Sequence, residues 1–198
     1  MYRIVLIAML IAVPAAAAPL DEVAQSLRLT TTMTADFTQT AGNGSVAKGR
    51  LILARPGKIR FSYDRLPMLV VADGKRLVFI DYEVSQVSEW PIGSTPLGLL
   101  LSSSGDITRV ARVVGSTGGA PRVEARDPKH PEYGSIVLTF ARDGAAPGGL
   151  ALTGWTATDA QNNITEIRLI NIRYNVTVAA GSFSFKDPRA KRLPGKTF

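Results

Sequence analysis

From Phe37 to Tyr174 the chain keeps one dominant period. Apolar residues recur at every second position, and the runs are separated by turns rich in glycine, proline and aspartate. In Lys58-Ile59-Arg60-Phe61-Ser62-Tyr63 the alternation is strict and puts Ile59, Phe61 and Tyr63 on one face. Residues 68–72 and 76–82 are two apolar runs joined by Asp73-Gly74, a dipeptide suited to a tight hairpin. Further strands are expected over residues 49–54, 85–90, 107–114, 122–126, 135–142, 150–158 and 164–174, with Phe183 and Phe185 on a last one. Roughly ten or eleven sequential antiparallel strands make a meander, which hides its edges by curling into a closed or nearly closed barrel. At more than about eight strands such a barrel leaves a cavity.

Two stretches depart from this period. Asp21 and Glu22 open a helix of about 11 residues, with acids where the helix dipole favours them and Val23, Leu27 and Met33 loosely periodic. Thr95 can cap a second helix, Pro96 suits its first position, and Leu97, Leu99, Leu100 and Leu101 make it short and very apolar. No internal repeat and no linker divides the remainder.

The first residues read as an export leader. Arg3 precedes an uncharged apolar run over residues 4–13, followed by Pro14 and small residues. That run is too short to span a hydrocarbon core, which takes about 20 residues. Cleavage after Ala17 is expected, leaving residues 18–198 as one exported domain. The chain has no cysteine, so it can carry no lipid on an N-terminal cysteine, and neither a disulfide nor a thiolate metal site is available. Net charge is +7. A basic exported protein can meet anionic lipid head groups or an acidic partner; nucleic acid is not expected, because no basic helix or stacking motif is present.

Little in the chain suggests catalysis. His130 is the one histidine and lies in the loop Asp127-Pro128-Lys129-His130-Pro131, where a surface role suffices. Asp73 and Asp81 could be imagined as paired carboxylates of a hydrolase, but the hairpin explains Asp73. Gly195-Lys196-Thr197 echoes the end of a phosphate-binding loop but has Ala190 where the first glycine belongs, and no helix can follow. The tail residues Lys186, Arg189, Lys191, Arg192 and Lys196 read as a solvated end, with a lipid or partner contact as the alternative. No metal and no cofactor is expected. An apolar cavity is left as the functional feature.

Several motifs, in order, sharpen this. Phe37-Thr38-Gln39, Arg55-Pro56-Gly57-Lys58-Ile59-Arg60-Phe61-Ser62-Tyr63, Asp73-Gly74-Lys75, Gln86-Val87 and Thr95-Pro96-Leu97 follow one another behind the leader. Together they resemble the LolA family of periplasmic outer-membrane lipoprotein carriers, most clearly over residues 20–101. The resemblance implies an unclosed β-barrel covered by short helices. It implies a carrier that takes triacylated lipoproteins from an inner-membrane ABC exporter and passes them to the outer membrane, through a lipoprotein receptor where one exists. The missing cysteine makes this chain the soluble carrier rather than the lipid-anchored receptor, and a carrier entering and leaving two complexes is most simply a monomer. Arg55 matches the family arginine that holds the helical lid through backbone carbonyls. Ile59, Phe61, Tyr63, Leu69, Val71, Leu77 and Phe79 are the expected acyl-chain lining, and Leu97, Leu100 and Leu101 the underside of the lid. The family often has an aromatic residue at position 59 and tryptophan at 61, so Ile59 and Phe61 reshape the cavity. Alternatives are a carrier of another lipid on the same fold and a sensor of misplaced lipoproteins; the hydrolase is a remote third.

Overall fold

The computed structural model describes residues 18–101 and 107–189. Helix α1 covers Pro19–Leu29 and so begins ahead of Asp21. Proline at the first helical position supplies a preset φ and lacks the N–H that would have no partner there. Asp21 and Glu22 fall in the first turn and Arg28 in the last, each with the sign the helix dipole favours. Thr30 ends the helix, its N–H and its hydroxyl both donating to the Ser26 carbonyl. Met33 is already on the first strand.

Eleven strands follow: β1 Thr32–Ala41, β2 Val46–Ala54, β3 Lys58–Tyr63, β4 Met68–Asp73, β5 Arg76–Asp81, β6 Gln86–Pro91, β7 Ala111–Thr117, β8 Ala120–Ala125, β9 Ser135–Arg142, β10 Leu150–Thr158 and β11 Ile164–Tyr174. Helix α2, Pro96–Leu101, lies between β6 and β7 in the chain. All strands join one sheet in the order β6-β5-β4-β3-β2-β1-β11-β10-β9-β8-β7, and the pairings are antiparallel. The first and last strands pair in the middle of the sheet, and β6 and β7 are its two free edges. The barrel is therefore mainly β and unclosed.

Three local readings shift. The stretch from Ile107 opens with a 3-10 turn, Ile107–Arg109, before β7 begins at Ala111. β8 starts earlier than expected because Gly118 and Gly119 both take positive φ, +56° and +75°, which closes a tight hairpin from β7. Phe183 and Phe185 form no strand. They pack with Leu69, Val71, Val78 and Ile80 into a second apolar cluster, on the face of β4 and β5 turned away from the main core.

The main core lies on the concave face. Phe37, Leu51, Leu53, Ile59, Leu138 and Trp155 contribute from the strands, and Val23, Ala24 and Leu27 from α1. The buried Ser26 hydroxyl donates to the Leu150 carbonyl at 2.9 Å and ties α1 to β10. One turn contact also fixes the far end of the sheet. Gly57 has φ +74°, and a Cβ there would stand 2.7 Å from the Gly74 Cα in the β4–β5 hairpin. Gly57→Ala combines a left-handed backbone with a backbone clash, so it is expected to cost about 1–3 kcal/mol. A lower urea midpoint at unchanged slope is the expected reading; an unchanged midpoint would show that the two turns part freely.

Candidate functional site

An apolar cavity of about 280 Å³ opens between the concave face and the start of α2. Phe61 and Tyr63 reach it from β3, Met68 and Val70 from β4, and Leu77 and Phe79 from β5. Trp155 and Ile167 close the opposite wall, and Thr95, Pro96 and Leu97 lie over it. Gln39, Asp159 and Asn163 form a polar border. The aromatic wall is tied edge to face: Phe37 meets Phe61 at 5.2 Å and Tyr63 at 5.3 Å, and Phe61 meets Trp155 at 6.1 Å. The Tyr63 hydroxyl donates to Gln39 Oε1 at 2.7 Å, which satisfies the polar end of an otherwise apolar wall. Burial pushes its pKa up to about 12, against the pull of the Gln39 bond, so it is neutral under physiological conditions.

Helix α2 is held at both ends. At its start the Thr95 hydroxyl donates to the Ile92 carbonyl at 2.8 Å and accepts from the Gly98 N–H at 3.3 Å. At its end the carbonyls have no partner within so short a helix. Arg55 Nη1 donates to the Leu100 carbonyl at 2.6 Å, and the Gly57 N–H to the Leu101 carbonyl at 3.0 Å. Both donors come from the β2–β3 turn, whose Arg55-Pro56 peptide is cis. Burial lowers the Arg55 pKa from its ordinary value to about 10, which leaves it cationic at neutral pH, as a charge-assisted bond to a helix C-terminus requires. Leu100 and Leu101 are buried in the main core, while Leu97 faces the cavity.

The expected lining residues thus separate. Phe61, Tyr63, Leu77 and Phe79 surround the cavity. Ile59 shares their face but is 0% exposed and lies in the closed core, one register step deeper opposite Ala72. Leu69 and Val71 point the other way, and this corrects the sequence reading. Val70 pairs with both Phe61 and Phe79, so Met68 and Val70 face the cavity and Leu69 and Val71 the outer cluster. β4 is apolar on both faces because the C-terminal segment covers the outer one, and a run apolar throughout carries no readable parity.

As far as residue 189 the same segment is fixed against the sheet rather than frayed, while Lys186 and Arg189 remain exposed as expected. Arg60 Nη1 donates to the carbonyls of Ser182 and Ser184, and Arg189 bridges Asp187 and Glu89. Lys191, Arg192, Lys196 and the leader lie outside the described residues. Asp73 and Asp81 stand at opposite ends of their hairpin and serve turns. Asp73 accepts the N–H groups of Lys75 and Arg76, and Asp81 those of Glu83 and Val84. The Arg76 N–H above all holds the Asp73 carboxyl below the usual range. His130 is exposed, stacks on Tyr133 and meets Glu132.

The family model for the outer membrane lipoprotein carrier protein LolA matches residues 28–186. The chain is 29% identical over 190 residues to the outer-membrane lipoprotein carrier protein of Chromobacterium violaceum, covering 90% of this chain and 88% of that one. It is 31% identical over 181 residues to the protein of the same name from Legionella pneumophila (strain Paris), covering 85% and 86%. Among solved structures it is similar to a LolA superfamily protein from Nitrosomonas europaea, with TM-score 0.46 and 7% identity over 86% of this chain and 99% of that one. An unclosed antiparallel barrel, an arginine-held helix over an apolar cavity and a family match across most of the sequence have one reading: the chain belongs to the LolA family of outer membrane lipoprotein carrier proteins.

Proposed function

We propose that this protein carries outer-membrane lipoproteins through the periplasm. In this reading residues 1–17 are removed on export and residues 18–198 act as one carrier domain, a reading supported by the unbroken sheet from β1 to β11. Cargo arrives with its acyl chains from an inner-membrane ABC exporter, and a receptor or the outer membrane itself takes it over. The protein binds, shields and releases; the reading assigns it no bond-breaking step and no cofactor.

The observation that carries the proposal is the apolar cavity beneath a helix fastened by Arg55. Exposing one methylene to water costs ~0.8 kcal/mol, so an acyl chain with about 15 of them costs roughly 12 kcal/mol, and a triacylated cargo more. Shielding is necessary, but binding with that full energy would forbid release. At about 280 Å³ the cavity stands just below the usual range of ligand sites, about 300–1,000 Å³, and is too small for several chains at once. Loading must therefore displace α2, and the free energy of opening weakens net binding to a level compatible with release.

The test is release from membranes. Spheroplasts synthesise a tagged triacylated lipoprotein destined for the outer membrane, the purified protein is added, and the membranes are pelleted. A soluble one-to-one complex is expected with this cargo and none with a lipoprotein retained in the inner membrane. No soluble complex from a folded protein would refute the carrier. Extraction of a different lipid from the native protein would point instead to another cargo for the same cavity.

A further inference from the structure

We propose that the outer face of β11, β1 and β2 is a docking surface for an anionic lipid bilayer. Side chains that share a row across these strands share a face. Lys48 pairs with Thr38 and Thr38 with Arg168; Arg50 pairs with Asp36 and Asp36 with Ile170; Ile52 pairs with Thr34 and Thr34 with Arg173. Three rows therefore bring Lys48, Arg50, Arg168 and Arg173 together, all exposed. Three carboxylates share the face: Asp36 accepts from the Asn171 amide at 2.7 Å, Glu166 pairs with Arg168 at 2.7 Å, and Asp64 stands beside Lys48 across the β2–β3 pairing. Lys48, Arg50 and Arg173 form no ion pair among the described residues. Four cations thus share this face with three carboxylates, and among the described residues only Arg168 of the four is ion-paired, so the face keeps a positive excess.

Two further observations favour a bilayer over an acidic protein. Ile170 is 62% exposed in the middle row, between Arg168 and Arg173 in sequence. Its cross-strand partner is Asp36, with Arg50 next in the row and Arg168 two residues away. An exposed apolar side chain on a mainly cationic face suits the head-group boundary, where charge meets phosphate and the apolar group dips inward. The β1–β11 register shifts between Thr34 and Asp36, and a groove of about 660 Å³ lined by Arg50 and Arg173 lies there. Asp36 lines it together with them, and the two guanidinium groups can each take a phosphodiester oxygen. The face is convex and lies on the side of the sheet opposite the cavity, so docking leaves the cavity and α2 unobstructed.

Vesicle sedimentation tests this with protein recovered from the periplasmic fraction of its host. Binding is expected to phosphatidylethanolamine vesicles containing phosphatidylglycerol, to fade at high salt, and to be absent with phosphatidylcholine alone. Reversing Lys48, Arg50 and Arg173 to glutamate should weaken binding by more than about tenfold. The milder set Lys48→Gln, Arg50→Gln and Arg173→Gln should weaken it in the same direction. Reversing Arg109, Arg122 and Arg126, three exposed cations on the β7–β8 side, should leave most of the binding. Failure of the unaltered protein to bind anionic vesicles would overturn the proposal and leave an acidic protein as the partner for this face. Equal losses from the two triple reversals would overturn it too, by showing that net charge and not this face governs attachment. No step of this test depends on cargo, so it can fail while the carrier reading stands.

Discussion

Arg55→Leu is expected to load lipoprotein and fail to pass it on. The closed state is held by a charge-assisted bond from Arg55 Nη1 to the Leu100 carbonyl and by a backbone bond from Gly57 to Leu101. A hydrogen bond from a charged donor is worth about 1.5–3 kcal/mol net. Its loss raises the population of the open state roughly 10- to 100-fold, since each 1.4 kcal/mol is a factor of ten. In the proposed mechanism cargo binds the open state, so its apparent affinity should rise by the same factor while the drive to expel it falls. Leucine keeps the apolar stem and the β2–β3 turn, so the fold should survive. In the spheroplast assay the soluble complex should accumulate at or above the normal level, while transfer to outer membranes falls at least tenfold. Arg55→Lys keeps the charge without the planar fork and should fall between the two. Normal transfer by Arg55→Leu would remove the clasp from the mechanism.

The sequence made the strand content and both helices readable because period and punctuation agreed. β3, β9, β10 and β11 have the boundaries that alternation alone predicts. Arg55 and Leu97 were legible only through resemblance, since an arginine at a strand end says nothing of the carbonyl it will meet some 45 residues later. The lining was legible where a strand has one polar face, as in β3, and not in β4. Yet the β4–β5 hairpin contained a signal that went unused. A two-residue turn at Gly74-Lys75 sets Ala72 opposite Leu77, and therefore Val70 opposite Phe79. Leu69 and Val71 cannot share a face with Leu77 and Phe79 in that register. Met68, Val70, Trp155 and Ile167 were missed for a related reason: a cavity wall is assembled from strands far apart in sequence, and no local pattern announces which of them meet. The role of Phe183 and Phe185 was hidden for the opposite reason, because a segment without regular structure has no period to read.

Val70→Glu and Ile59→Glu should separate the cavity from the core, although the two residues lie on one face. Val70 borders the cavity, so a carboxylate there can keep part of its hydration while the cavity is empty. The fold should persist with a modest loss of stability. An acyl chain, however, would have to strip that water and leave the charge against methylenes, a cost of several kcal/mol. Binding of a fluorescent fatty acid, and recovery of soluble lipoprotein complex, should each fall by more than about 100-fold. Ile59 is 0% exposed and packed in the main core. Glutamate there meets neither water nor a partner, and about 3–5 kcal/mol of stability should be lost, much of what a domain of this size has. That variant should report on folding, with a collapsed urea midpoint or no soluble protein at all. Leu69→Ala completes the set from the opposite face. It should cost about 2–3 kcal/mol by emptying space beneath Phe183 and Phe185, and leave fatty-acid affinity unchanged. If Leu69→Ala weakened acyl binding while Val70→Glu did not, the ligand would lie beneath the C-terminal segment and the cavity under α2 would not be the binding site.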